Sequence, residues 1–194
     1  YPVKHSLSPA MHNAAFRALK INAEYKLFEI KPEELEGFLK GAGRKNIRGL
    51  NITIPYKEKA IPFLSTLSEE VRFIGAVNTV MVQKDKLGGF NTDYLGFIRH
   101  IKELKLEPRR AAVIGAGGAA KAVSFGLCLE AAKRGTGQFE IRIYDIDKGK
   151  SSDLAKRLHS FFESRKFIAV DDLDDLNLKD RDLLINASSA GMKS

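Results

Sequence analysis

A single cysteine, Cys128, stands among 194 residues. One thiol forms no disulfide within the chain and holds no cysteine-based metal cluster. That fits a reducing compartment, and the expected location is the cytoplasm. No apolar run approaches the ~20 residues of a membrane span, so no membrane partner is expected. No signal peptide is visible, and because the chain opens at Tyr1 rather than Met, a true N-terminus ahead of it is expected. Internal repeats and low-complexity stretches are missing. His5, His12, His100 and His159 are scattered, and no His/Cys/carboxylate cluster has metal-ligand spacing. The expected metal content is none. The net charge is +8, yet Lys and Arg are dispersed and not interleaved with aromatics on one stripe, so nucleic acid is not the expected partner. A basic chain does attract anions, including phosphate cofactors and carboxylate substrates.

What is present is an ordinary globular balance, 44% hydrophobic and 29% charged, in a chain long enough to bury a core without staples. Ser8-Pro9 reads as an N-cap with Pro at the first helical position. The helix it opens runs to about Leu19, with Met11, Ala15, Ala18 and Leu19 on one face. Tyr25 to Ile30 is expected as a strand, Glu33 to about Leu39 as a helix, and Arg48 to Ile54 as a short strand. Ala76 to Val82 and Leu87 to Phe90 read as a hairpin around Lys84-Asp85-Lys86. Thr92 or Asp93 then caps a helix to about Leu104.

The pattern changes at Pro108-Arg109-Arg110. From there strands and helices alternate. The strands are Ala111–Ile114, Ile141–Tyr144, Phe167–Val170 and Leu183–Asn186. The helices run from Gly118 to about Lys133 and over roughly Ser151–Glu163. Such alternation predicts a parallel sheet covered on both faces. The expected fold is therefore α/β with two domains. Residues 1–105 form an N-terminal α/β domain with a mixed, mainly parallel sheet, and residues 106–194 form a Rossmann domain.

Gly115-x-Gly117-x-x-Ala120 follows a strand and opens a helix, the context a dinucleotide fingerprint requires. The first Gly makes the tight turn, the second lets backbone approach a pyrophosphate, and the small third residue allows close packing. Gly118 and Ala119 would then offer the helix N-terminus to the phosphates. The alternative is a tight turn with no ligand. Asp145 ends the next strand, where a carboxylate accepts from a ribose diol and repels a 2′-phosphate. Asp145-Ile146-Asp147 contains no Arg to pair with that phosphate, so NAD is favoured, with NADP as the second option. The other reading is that Asp145 or Asp147 caps the next helix.

The first half gathers small polar residues. Ser6 and Ser8 stand at a helix start, which suits a carboxylate. Asn51 and Thr53 alternate with apolar neighbours and so share a face. Lys57, Asn78 and Asp93 stand near strand or helix ends. Each has a plain explanation as a cap, a turn residue or a solvated charge.

Taken together, Ser6-Leu7-Ser8-Pro9, Asn51-x-Thr53-x-Pro55-x-Lys57, Gly75-Ala76-Val77-Asn78-Thr79, Asn91-Thr92-Asp93 and the Gly115–Ala120 turn resemble the shikimate dehydrogenase family. Asn186-Ala187-Ser188 with Gly191-Met192-Lys193 is similar to the family segment that reaches the nicotinamide. The resemblance implies an oxidoreductase of aromatic amino acid (chorismate) biosynthesis, exchanging a hydride reversibly between NAD(P)H and 3-dehydroshikimate or shikimate. It implies that Ser6 and Ser8 hold the substrate carboxylate, and that Asn51, Thr53, Asn78 and Asp93 bind ring hydroxyls. Lys57 and Asp93 become the catalytic pair. Gly115, Ala116, Gly117, Gly118, Ala119, Asp145, Ile146, Asp147, Ala187, Ser188 and Met192 become cofactor contacts.

The sequence also departs from the family pattern. NADP-dependent members carry Asn-Arg-Thr where this chain has Asp145-Ile146-Asp147, which resembles NAD-using quinate/shikimate dehydrogenases. Ser8, by contrast, keeps the serine of shikimate-specific members, so quinate use stays open. The family's first strand, last Rossmann strands and returning helices are not within these residues, and poor binding and turnover are expected of this span alone. The remaining alternative is a non-catalytic regulator on the same scaffold, which would be expected to lose the Lys57/Asp93 pair. The expected assembly is a monomer or homodimer.

Overall fold

A computed structural model describes residues 3–4, 6–84, 86–135, 137–163 and 165–191. Two four-stranded sheets divide the chain. The first contains β1 (Gly49–Asn51), β2 (Thr66–Leu67), β3 (Thr79–Gln83) and β4 (Lys86–Phe90), in the order β1-β3-β4-β2. It is mixed, as expected, but β1–β3 and β3–β4 are antiparallel and only β2–β4 is parallel. The β3–β4 hairpin turns at Lys84, which takes a left-handed φ of 54°. β3 alternates half-buried, buried and exposed positions, with Val80 and Val82 inward, as a one-sided sheet requires.

Tyr25–Ile30 is not a strand. The segment makes no ladder with β1, and a strand exists only through its backbone partners. Helix α1 (Ser8–Ala18) also departs from expectation. It has no buried residue, and Met11 and Leu19 are 62% and 69% exposed. Its N-cap is Leu7 rather than Ser8, and the amide of Ser8 donates to the Ser6 hydroxyl at 3.2 Å. The short helices α2 (Leu35–Lys40) and α3 (Glu69–Ile74) contribute Leu35, Leu39 and Val71 to the first core, with Val77, Val80 and Ala60.

Helix α4 (Asp93–Glu103) leads into the second sheet, which contains β5 (Arg110–Ile114), β6 (Glu140–Tyr144), β7 (Lys166–Val170) and β8 (Leu183–Asn186). All of its pairings are parallel, in the order β7-β6-β5-β8. Helices α5 (Gly118–Lys133) and α6 (Lys148–His159) cross between strands. Ala111, Ala112 and Val113 of β5 are fully buried, as a strand covered on both faces must be, and β6 buries Ile141 and Ile143 on one face. Burial of each isoleucine contributes about 1.5–3 kcal/mol. α5 lies close on α4 because Gly126 has no side chain there; a Cβ would meet Ile98 Cγ1 at 2.8 Å. No helix among the described residues is long and apolar enough to cross a membrane.

The two halves interlock. Phe73, Ile74 and Ala76, from the first half, belong to the core of the second. Phe73 packs on Phe125 and Phe161. Arg157 of α6 donates to the carbonyls of Phe73 and Arg72 at the C-terminal end of α3, where a cation meets the negative end of the helix.

Candidate active site

Lys57 and Asp93 lie 36 residues apart in sequence, yet the Lys57 ammonium donates to Asp93 Oδ2 at 2.5 Å. Lys57 is fixed by its own backbone, whose carbonyl accepts from the Val77 amide at 2.8 Å. Asp93 is the first residue of α4. Its amide donates to Asn91 Oδ1 at 3.0 Å, and Asn91, 1% exposed, in turn donates to the Ala76 carbonyl at 2.9 Å. Thr92 holds the N-cap position, as expected, but without a side-chain cap bond; Asn91 takes the first helical amide, and the Asp93 carboxylate faces Lys57. An amide two residues before a helix start is the sequence signal for such a contact.

Asn78 spans the same corner. Its amide nitrogen donates to Asp93 Oδ1 at 2.8 Å and to Thr92 Oγ1 at 3.0 Å. Its oxygen accepts from the Thr79 hydroxyl and the Thr92 amide. Both ends of Asn78 are thus engaged within the protein, and in this arrangement it orients Asp93 rather than standing open to a ligand.

Ser6, Ser8, Asn51 and Thr53 line one open groove of about 1160 Å³, together with His12 and Tyr25. Asn51 and Thr53 are both exposed while Leu50 and Ile52 pack inward, the alternation expected of a strand and its continuation.

The second half places its glycine turn beside this corner. Strand order reverses between β5 and β8, and ligands of open α/β sheets bind at the carboxyl ends of the strands at such a switch. Gly115 ends β5 with φ 102°, and a Cβ there would lie 2.9 Å from the backbone of Ala187 and Ser188, just past β8. Only glycine allows the two turns to approach. Gly117 faces open space, and no side chain caps α5 or puts an acidic group in its first turn. The free N–H groups of that 16-residue helix are an anion site. The open space at Gly117 fits a nucleotide pyrophosphate. A Cβ on Gly118 would touch Ala76 at 3.3 Å and the Lys57 side chain at 3.6 Å. The start of α5 therefore rests directly against Lys57.

A family model described as the shikimate dehydrogenase substrate binding domain matches residues 1–80. The shikimate dehydrogenase (NADP(+)) of Methanopyrus kandleri is 43% identical over 99% of this chain and 66% of its own length. The crystal structure of shikimate dehydrogenase from Aquifex aeolicus superposes with a TM-score of 0.86 at 35% identity, covering 100% of this chain and 68% of that one. The chain is a member of the shikimate dehydrogenase family. It spans about two thirds of the length of the curated relatives it matches. Quinate dehydrogenase from Corynebacterium glutamicum in complex with NAD is also similar, with a TM-score of 0.81 at 28% identity over 96% of this chain and 67% of that one.

At the cofactor end, Asp145 closes β6 and accepts the Ala116 amide at 2.7 Å and the Asp147 amide at 2.9 Å. The carboxylate is thereby pinned to the glycine turn, with acceptor capacity left over, since an ionised carboxylate has about four lone-pair sites. Ile146 is 92% exposed. Asp147 takes the plainer of its two readings: it caps α6, accepting from Gly149 and Lys150 amides at 3.0 and 3.3 Å. Asn186 Oδ1 holds Ser188 through the Ser188 amide and hydroxyl, shaping the loop after β8. Met192 lies outside the described residues. Arg157 and Asn91 were not among the expected functional residues; Asn91 joins the Asp93 amide to the Ala76 carbonyl, and Arg157 ties down the end of α3.

Proposed function

We propose that this chain forms the substrate and cofactor portion of an enzyme that interconverts 3-dehydroshikimate and shikimate with a nicotinamide cofactor. The observation that carries the reading is the Lys57–Asp93 contact lodged against Gly118 at the mouth of the nucleotide turn. When bound, the nicotinamide supplies or receives the hydride. The chain's own residues handle the proton. On oxidation the hydroxyl proton must leave as the C–H electron pair departs, and on reduction the new alkoxide must be protonated. Lys57, hydrogen-bonded to Asp93, is positioned to give or take that proton, and its charge stabilises the developing alkoxide. Ser6 and Ser8 hold the substrate carboxylate, while Asn51 and Thr53 meet ring hydroxyls from the same groove. Asn78 keeps Asp93 aimed at Lys57. The division between the substrate and nucleotide parts falls near residue 105, within a reducing compartment.

We assign NAD as the favoured cofactor, with Asp145 as the reason. Its carboxylate stands beside the glycine turn, where it accepts from a ribose diol and repels a 2′-phosphate, and the exposed Ile146 next to it offers no cation. The M. kandleri relative is named for NADP(+), and the Corynebacterium structure holds NAD. Absorbance of reduced cofactor in the full-length protein, followed with shikimate and with quinate in NAD and in NADP, tests both assignments. Faster turnover of shikimate with NAD is expected. A clear preference for NADP would overturn the role given to Asp145, and no turnover of either acid would overturn the activity.

A further inference from the structure

Tyr25 belongs to no strand, yet four contacts hold it. Its backbone is clamped by Asn13, whose side-chain nitrogen donates to the Tyr25 carbonyl at 3.0 Å and whose oxygen accepts the Tyr25 amide at 2.8 Å. Its ring stacks on His12 with centroids 4.5 Å apart and planes 8° from parallel. Its hydroxyl reaches across the groove and donates to Asn51 Oδ1 at 3.1 Å. His12 lies four residues after Ser8 on α1, so the two share a helix face. Ser8, His12, Tyr25 and Asn51 all line the groove, and His12, Tyr25 and Asn51 are in direct contact in that order.

A carboxamide can present either its oxygen or its nitrogen, and nothing in its own geometry chooses. In the structure the Tyr25 hydroxyl donates to Asn51 Oδ1, which leaves Nδ2 as the group Asn51 can offer to a ligand. We propose that Tyr25 is a positioning residue: it sets Asn51 as a hydrogen-bond donor to substrate and ties that donor, through His12 and Asn13, to the helix that Ser8 opens. This rests on the activity proposed above and adds to it that the substrate oxygen read by Asn51 serves as an acceptor.

The test is a double-mutant cycle in the full-length protein with Tyr25→Phe, Asn51→Ala and both together, combined with NMR of the Asn51 side-chain amide in unliganded protein. Tyr25→Phe should raise KM for shikimate on the order of 3- to 10-fold, the loss expected of one oriented hydrogen bond. Turnover at saturation and KM for the cofactor should stay within about 2-fold, since Lys57 and Asp93 are untouched. In the Asn51→Ala background, Tyr25→Phe should add nothing, because its effect runs through residue 51. The Asn51 amide signal should lose order in Tyr25→Phe. Equal effects of Tyr25→Phe in both backgrounds would overturn the proposal. So would an Asn51 amide whose order is unchanged by Tyr25→Phe, a measurement that stands even for a protein that turns over neither shikimate nor quinate.

Discussion

The two halves of this molecule are built to different standards of packing. In the second half, β5 is buried on both faces, β6 buries Ile141 and Ile143 on one, and α5 hides Ala120, Ala122, Leu127, Cys128 and Ala131. In the substrate half, α1 buries nothing, β1 has three residues and the segment around Tyr25 is held by side chains instead of a ladder. Yet the groups proposed to react sit on the looser half: Lys57, Asp93 and the groove residues all precede residue 105. A parallel sheet is stable only when covered on both sides, so it makes a firm platform. The reacting groups are then held on its neighbour by specific polar contacts, of which Asn91 and Asn78 around Asp93 are the clearest.

If this contrast holds, activity and stability should separate between the halves. Lys57→Ala should lower turnover by on the order of 10²–10⁴-fold, the range typical for a lost proton donor, with KM changed far less; steady-state rates decide this. An unaltered rate would leave the 2.5 Å contact with Asp93 as a structural ion pair. Ile143→Ala, in the fully buried centre of β6, should cost about 2–5 kcal/mol in urea unfolding. A loss well under 1 kcal/mol would mean the second core is not the stabilising one.

Even the rim of the nucleotide half is tied down, and pH should reveal it. Asp182 accepts the amides of Arg109 and Arg110 at 2.9 and 2.8 Å. Those N–H groups hold its carboxyl below the usual range, outweighing a slight desolvation. Its contribution is therefore complete above the ordinary carboxylate pKa and disappears as pH falls through the lower, folded value. Asp182→Asn should flatten that acid limb in thermal melts, by less than about 1 kcal/mol given its exposure to solvent. The smallest effect is expected at Met11, 62% exposed on α1. Its replacement by Ala should change stability by no more than about 0.5 kcal/mol; a loss of 2 kcal/mol would show that α1 is packed after all and erase the contrast.

Legibility followed the same divide. Apolar runs ending at Gly115 and Tyr144, the helix from Gly118 and the hairpin at Lys84 are local patterns, and the structure has them at nearly the expected bounds. Helix α3 and strand β2 were not expected, since six and two residues carry too little periodicity to read. The amphipathic face drawn on α1 was misleading, because periodicity says which residues share a side and not what covers it. Tyr25–Ile30 had the right residues for a strand and has no ladder partner among the described residues.

What the sequence determined by itself was chemistry at fixed spacing: two glycines where a turn must meet phosphate, an acid at the end of the next strand, and a lysine and an aspartate in family motifs. Convergence was left to the tertiary structure. The meeting of residues 57 and 93, the insertion of Phe73 into the other half's core, and the reach of Tyr25 to Asn51 all join points distant along the chain. Such contacts arise only once cores have closed, because no local periodicity encodes the distance between two loops.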